Sequence, residues 1–118
     1  MDRKLCELGL EELCKLPGIS DRNWIGEEKI YLHLRNSKKM HWYFAEYDSA
    51  WRKFFGFSDS PGEGVQWGQF YMEDLLGYGK KGSSWELIVE STWKPVYSKE
   101  ISALQGYIRL MLSMADTL

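Results

Sequence analysis

Two stretches decide the fold: Lys29-Ile30-Tyr31-Leu32-His33-Leu34-Arg35-Asn36 and His41-Trp42-Tyr43-Phe44-Ala45-Glu46-Tyr47-Asp48. In the first, Ile30, Leu32 and Leu34 alternate with Tyr31, His33 and Arg35. A period of two is the signature of a strand with one apolar face. The second is dense in aromatic residues, which favour strands. Its alternation sets Trp42, Phe44 and Glu46 against His41, Tyr43, Ala45 and Tyr47. The polar turn at 36–39 joins the two stretches into a hairpin.

Outward from this hairpin, residues 52–59 read as a third strand. Gly56 within it marks a bulge or a close contact across the sheet. Residues 58–64 form the clearest turn in the chain, and 65–71 a fourth strand. Residues 72–76 suit one or two helical turns, stopped by Gly77 and Gly79. After a loop at 80–84, residues 85–92 read as a fifth strand, closed by Trp93-Lys94-Pro95. Upstream, Leu5, Leu8, Leu13 and Leu16 suggest an amphipathic helix interrupted at Gly9 and ended by Pro17-Gly18. From Ser98 the period changes to helical. Ile101, Leu104, Ile108, Met111 and Leu112 make a stripe, with Ser98 as N-cap. Gly106 weakens that helix by about 1 kcal/mol relative to alanine. The expected fold is one α+β domain over 1–118. It has an antiparallel meander sheet of four to five strands, an N-terminal helix, a short helix near 72–76 and a C-terminal helix at about 98–115. The helices are expected on one face of the sheet.

A chain of 118 residues can bury a core without metals or disulfides. Its 15 basic and 17 acidic residues give a net charge of −2. That disfavours both a basic nucleic-acid binder and a heavily acidic DNA mimic. Charges interrupt every apolar run in residues 1–16, so no signal-peptide core is read there. No stretch approaches the roughly 18 apolar residues of a membrane span. The expected compartment is the cytoplasm. Cys6 and Cys14, with no CxxC partner, argue against structural zinc. They read as reduced, partly buried thiols.

Four blocks, in order, carry a resemblance to a known family. They are Leu10-Glu11-Glu12-Leu13-Cys14-Lys15-Leu16-Pro17; Ile30-Tyr31-Leu32 leading to Trp42-Tyr43-Phe44-Ala45-Glu46-Tyr47-Asp48; Phe54-Phe55-Gly56-Phe57; and Gly68 through Phe70 to Leu75. Over about residues 5–97 the chain resembles the bacterial domain-of-unknown-function family 2958, found on plasmids, integrative elements and phages. It departs from that pattern at Gln66 and Trp67, where the family tends to an acidic residue and a leucine, and in its longer last helix. The resemblance implies a compact α+β domain from a mobile element and no known reaction. By association it implies counter-defence.

Several constellations invite chemistry. His33 and His41 sit on paired strands; with Glu46 or Asp48 they would make a divalent-metal site, or they are ordinary half-exposed strand histidines. Glu46 and Asp48, two apart on a strand, share a face. They read either as an acid/base pair or polar anchor in a pocket, or as structural carboxylates paired with Arg52 or Lys53. Residues 77–84, with lysines before the glycine and a strand after it, fail the requirements of a phosphate loop. No nucleophile motif occurs. Aromatic residues, 15% of the chain with 6 Trp, are the strongest signal, because a core this small cannot hold all of them centrally. Trp24, Trp51 and Trp67 fall in loops or beside turns. Together with Tyr47, Tyr78, Lys80 and Lys81 they are the candidate partner-binding residues.

The expected function is therefore a non-enzymatic protein-binding module with no cofactor. Its partner would be a host protein or defence complex, inhibited by steric occlusion as an anti-CRISPR protein does. A homodimer through the C-terminal helix stays open. So does a ligand-binding or hydrolytic site built from Glu46, Asp48, His33 and His41.

Overall fold

The computed structural model describes residues 2–18 and 26–116; Trp24 lies outside them. The chain opens with β1 (Arg3–Lys4), a 3-10 turn at Leu5–Glu7 and α1 (Leu10–Leu13). β2 (Lys29–Ile30), β3 (Leu32–Arg35), β4 (His41–Asp48), β5 (Lys53–Ser60) and β6 (Gly64–Tyr71) follow. Next come α2 (Met72–Gly77), a 3-10 turn at Tyr78–Lys81, β7 (Ile88–Val89), β8 (Val96–Tyr97) and α3 (Ser102–Asp116). The main sheet has six antiparallel strands in the order β1-β7-β3-β4-β5-β6, and β2 pairs with β8 in a second, two-stranded sheet. The β3–β6 meander follows the expected path, but the strand expected over 29–36 breaks at Tyr31: Ile30 lies in the second sheet and packs in the α3 core, apart from Leu32 and Leu34. β7 and β1 extend the main sheet on the β3 side.

The helices do not share one face. α1 and α2 cover a core of Leu32, Leu34, Trp42, Phe44, Tyr47 and Phe54. α3 covers a second core of Ile30, Tyr43, Ala45 and Phe57 with Leu104 and Ile108. The reason lies in β4: Trp42 through Ala45 are all buried, so both of its faces need cover. The short connections of the meander carry no information about which side a helix returns on. The N-terminal helix is broken at Gly9 into two short pieces, and the expected fifth strand shrinks to two residues. Ser98 is not a helix cap. It is buried in a 3-10 turn, and its hydroxyl donates to the Glu28 carboxylate at 2.7 Å. Cys6 and Cys14 are free and exposed rather than partly buried.

Gly56 makes the close contact its position suggested. A Cβ there would lie 2.1 Å from the Tyr43 carbonyl oxygen. Beside it the β4–β5 register slips by one residue between Phe44 and Glu46. This bulge inverts the alternation. Phe44 and Tyr47, three apart, therefore enter the same core. Glu46 is carried to the face opposite Trp42 and Phe44, which corrects the simple alternation read from sequence.

Candidate functional site

The residues singled out in sequence scatter. Trp51 is 68% exposed in the 49–52 turn, at the end of the sheet away from the 36–40 and 61–63 turns. Trp67 is 38% exposed on the α3 face, edge-on to Phe57. About four residues of strand, roughly 13 Å, separate Trp67 from the Tyr71 end that Trp51 adjoins. They form no common patch. Tyr47 is buried against Phe54, which leaves it little surface to offer a partner. Asp48, the last residue of β4, caps the following turn: its carboxylate accepts the Ala50 and Trp51 N–H groups at 3.0 and 3.3 Å. Asp48 and Glu46 stand at the opposite end of β4 from His41, some five to seven residues or about 16–23 Å away. The site imagined from Glu46, Asp48, His33 and His41 is thus not assembled.

What is assembled lies at the other end of the sheet, on the α1/α2 face. An open groove of about 650 Å³ runs between the tip of the β5–β6 hairpin and the 78–85 segment. Its floor holds Trp42 and Phe70, and one wall holds Tyr78 and Trp85. Tyr78 stacks near-parallel with Trp85 (6.2 Å, 12°) and tilts against Trp42 at 5.6 Å. The ammonium groups of Lys38 and Lys81 lie 5.1 and 4.9 Å from the Trp85 ring centre; Lys81 also lies 5.1 Å from that of Tyr78. Such contacts hold cations over aromatic faces while leaving N–H donors open. Lys81, not Lys80, lines the groove. Glu63 and Asp74 also line it, so it carries both signs of charge.

One buried side chain positions the lysine-bearing wall. The Asn36 amide oxygen accepts the Lys38 and Met40 N–H groups at 3.0 and 3.2 Å. Its amide nitrogen donates to the Trp85 carbonyl at 3.1 Å. The Ser37 N–H adds a bond to the Ser84 carbonyl. The β3–β4 turn and the Trp85 loop are therefore one hydrogen-bonded unit. The sequence reads 36–39 only as a polar turn and 85–92 as a strand. No local signal joins residues 47 apart; an asparagine opening a turn was the only hint.

The histidines do meet, on the other face. His33 Nε2 and His41 Nδ1 are 2.9 Å apart, and His33 Nδ1 lies 2.9 Å from Glu90 Oε2. A carboxylate only accepts, so the Nδ1 proton of His33 points at Glu90. With both rings neutral, His41 Nδ1 donates to His33 Nε2 and His41 Nε2 is left as an acceptor. Tyr43 stacks on His33 at 4.7 Å, and Trp93 tilts against it at 5.2 Å. The carboxylate partner is Glu90, from beyond β7, rather than Glu46 or Asp48. Among the described residues no group of three or more His, Cys, Asp or Glu side chains is placed to hold a metal.

Desolvation, and then repulsion from His33 when that ring is protonated, lowers the pKa of His41 below its ordinary 6.5. A histidine with a depressed folded pKa binds fewer protons folded than unfolded. Its stabilising contribution is present above about pH 6.5 and is lost as pH falls through that window. Glu28 works in the opposite sense. Burial raises its pKa above 4.5, despite the Ser98 hydroxyl bond, so the folded state takes up that proton first. Comparison with His41→Gln isolates the histidine. Between pH 7.5 and 5.5 the wild-type urea midpoint is expected to fall more than that of the variant. Parallel pH profiles would show that His41 does not couple to folding.

No family model, curated protein or solved structure matches the chain. Among the described residues, no helix is long and apolar enough to cross a membrane.

Proposed function

We propose that the protein is a small, non-enzymatic protein-binding module that seats an acidic, partly apolar segment of its partner in the Trp85 groove. The observation that carries this reading is the pair of lysine ammonium groups held over Trp85 and Tyr78 beside an aromatic floor. The rings offer flat apolar area at low entropic cost, and the ammonium groups favour a carboxylate at one end. Glu63 and Asp74 select against a uniformly acidic segment and set its direction. The sequence resemblance to mobile-element proteins supplies the class of partner: a host defence complex, blocked sterically as by an anti-CRISPR protein. Direct nucleic-acid binding is disfavoured by the net charge of −2. Action in the cytoplasm belongs to the same reading.

Capture from host-cell lysate with tagged wild type and the Lys38→Glu/Lys81→Glu variant tests it. The double variant is expected to retain at least about tenfold less partner, and wild-type binding to weaken as salt rises. Both lysines are exposed, so unfolding temperature should change little. Equal capture by both forms would remove the groove from the interface. A second reading, a ligand-binding or hydrolytic site, rests on the Glu90–His33–His41 chain ending in the half-buried His41. It predicts that His41→Gln abolishes an activity that the lysine variant keeps.

A further inference from the structure

The six-stranded sheet has two unlike edges. At one, β1 is only Arg3 and Lys4, which pair with Glu12 and Glu86. A short, charged strand is a usual way to discourage strand addition. At the other, β6 runs for eight residues, Gly-Val-Gln-Trp-Gly-Gln-Phe-Tyr, with no charge and no proline. Its hydrogen-bond phase follows from its end. The Met72 N–H donates to the Arg52 carbonyl at 2.8 Å, and the register continues as Tyr71 with Lys53 and Phe70 with Phe54. Antiparallel pairs alternate. Phe70, Gly68, Gln66 and Gly64 therefore bond towards β5, while Val65, Trp67, Gln69 and Tyr71 aim their N–H and C=O groups away from it. The Trp67 N–H bears this out: it reaches outward to the Tyr107 hydroxyl of α3, at a long 3.4 Å.

We propose that β6 pairs antiparallel with β6 of a second copy of this chain, about a two-fold axis through Gly68. In that register Val65 faces Tyr71 of the other copy and Trp67 faces Gln69. All four outward residues then fall in hydrogen-bonded pairs, on both chains at once. Gly68 meets its own copy at a non-hydrogen-bonded position, where Cα atoms approach to about 4.5 Å and side chains are closest. Having no side chain, it puts no pair of side chains on the axis. Because residues 64–71 carry no charge, the axis brings no like charges together. Trp67 and Tyr71, 38% and 42% exposed, gain cross-strand neighbours. A foreign strand would satisfy the outward groups too, but the match about Gly68 is a property of this sequence with itself. Tyr107 competes, since its hydroxyl holds the Trp67 N–H that the second copy would take.

Sedimentation of the whole chain from about 1 to 300 µM tests this, with dissociation expected on the order of 10 µM for so small an interface. Three variants accompany it. Gly68→Glu has open space in the single chain, with no atom within 4 Å of the new Cβ, yet sets two carboxylates face to face on the axis. It is expected to weaken association at least about tenfold with little change in unfolding temperature. Gln69→Pro removes an outward N–H and should act the same way if Gly68→Glu folds poorly. Tyr107→Phe frees the Trp67 N–H and should tighten association. A wild type and Tyr107→Phe that both stay monomeric throughout would overturn the proposal. So would a dimer that Gly68→Glu and Gln69→Pro leave intact, the result expected if copies meet instead through the exposed Leu110 and Met114 of α3.

Discussion

Gly56→Ala is expected to cost about 3–5 kcal/mol, enough to leave a marginal domain largely unfolded. The new methyl would sit 2.1 Å from the Tyr43 carbonyl oxygen and 2.8 Å from Phe44 Cα. Both obstacles are backbone, so no side chain can swing aside. The strands must part, and β4 and β5 hold Phe44 and Phe54, both fully buried and stacked at 4.4 Å. Parting them opens the core at its centre. Equilibrium urea unfolding measures the loss. A cost under about 1 kcal/mol would show that the β4–β5 ladder gives way at the bulge without disturbing the stacked rings.

Asn36→Ala is expected to cost about 2–3 kcal/mol and to impair the groove as well. The change leaves the Lys38 and Met40 N–H groups and the Trp85 carbonyl without their amide partner. Asn36 is only 5% exposed, so water replaces those bonds poorly. Asn36→Asp separates the two roles. An aspartate keeps the acceptor for the turn but turns a second oxygen towards the Trp85 carbonyl, where a donor had been. Unfolding measurements on both variants, with Trp fluorescence as the probe of Trp85, are the check. If Asp matched wild type in fluorescence and in partner capture, the bond to Trp85 would not be what positions that wall.

The meander was legible because its strands announce themselves locally. Alternation in 29–36, aromatic density in 41–48 and the turn residues around Pro61-Gly62 each need only their own neighbours. Glu46 was misread for the opposite reason. One extra residue at Ala45 flips every later side chain, and nothing in Phe44-Ala45-Glu46 signals the slip; its trace was Gly56, twelve residues from Phe44 on the partner strand. β1 and β8 are two-residue strands fixed by what they pair with, so no periodicity could reveal them, and the alternation of 29–36 ran β2 into β3 although Ile30 packs in the opposite core from Leu32 and Leu34. The pairing of His33 with His41 followed from the hairpin, whereas Glu90 came from 57 residues away. The groove was the least legible feature. Tyr78 and Lys81 were singled out by type, but Lys38 and Trp85 join them only through the tertiary bonds of Asn36.

The basic pair Arg3–Lys4 has a consequence beyond local ion pairing. It gives the six-stranded sheet a valence of one. A strand that joins is expected beside Tyr71 and Trp67, because the short, charged far side discourages pairing. Two such sheets meeting at their open sides would present only terminated sides outward. The aromatic wealth of the chain is thereby separated from the usual hazard of aromatic strands, which is unlimited growth into fibres.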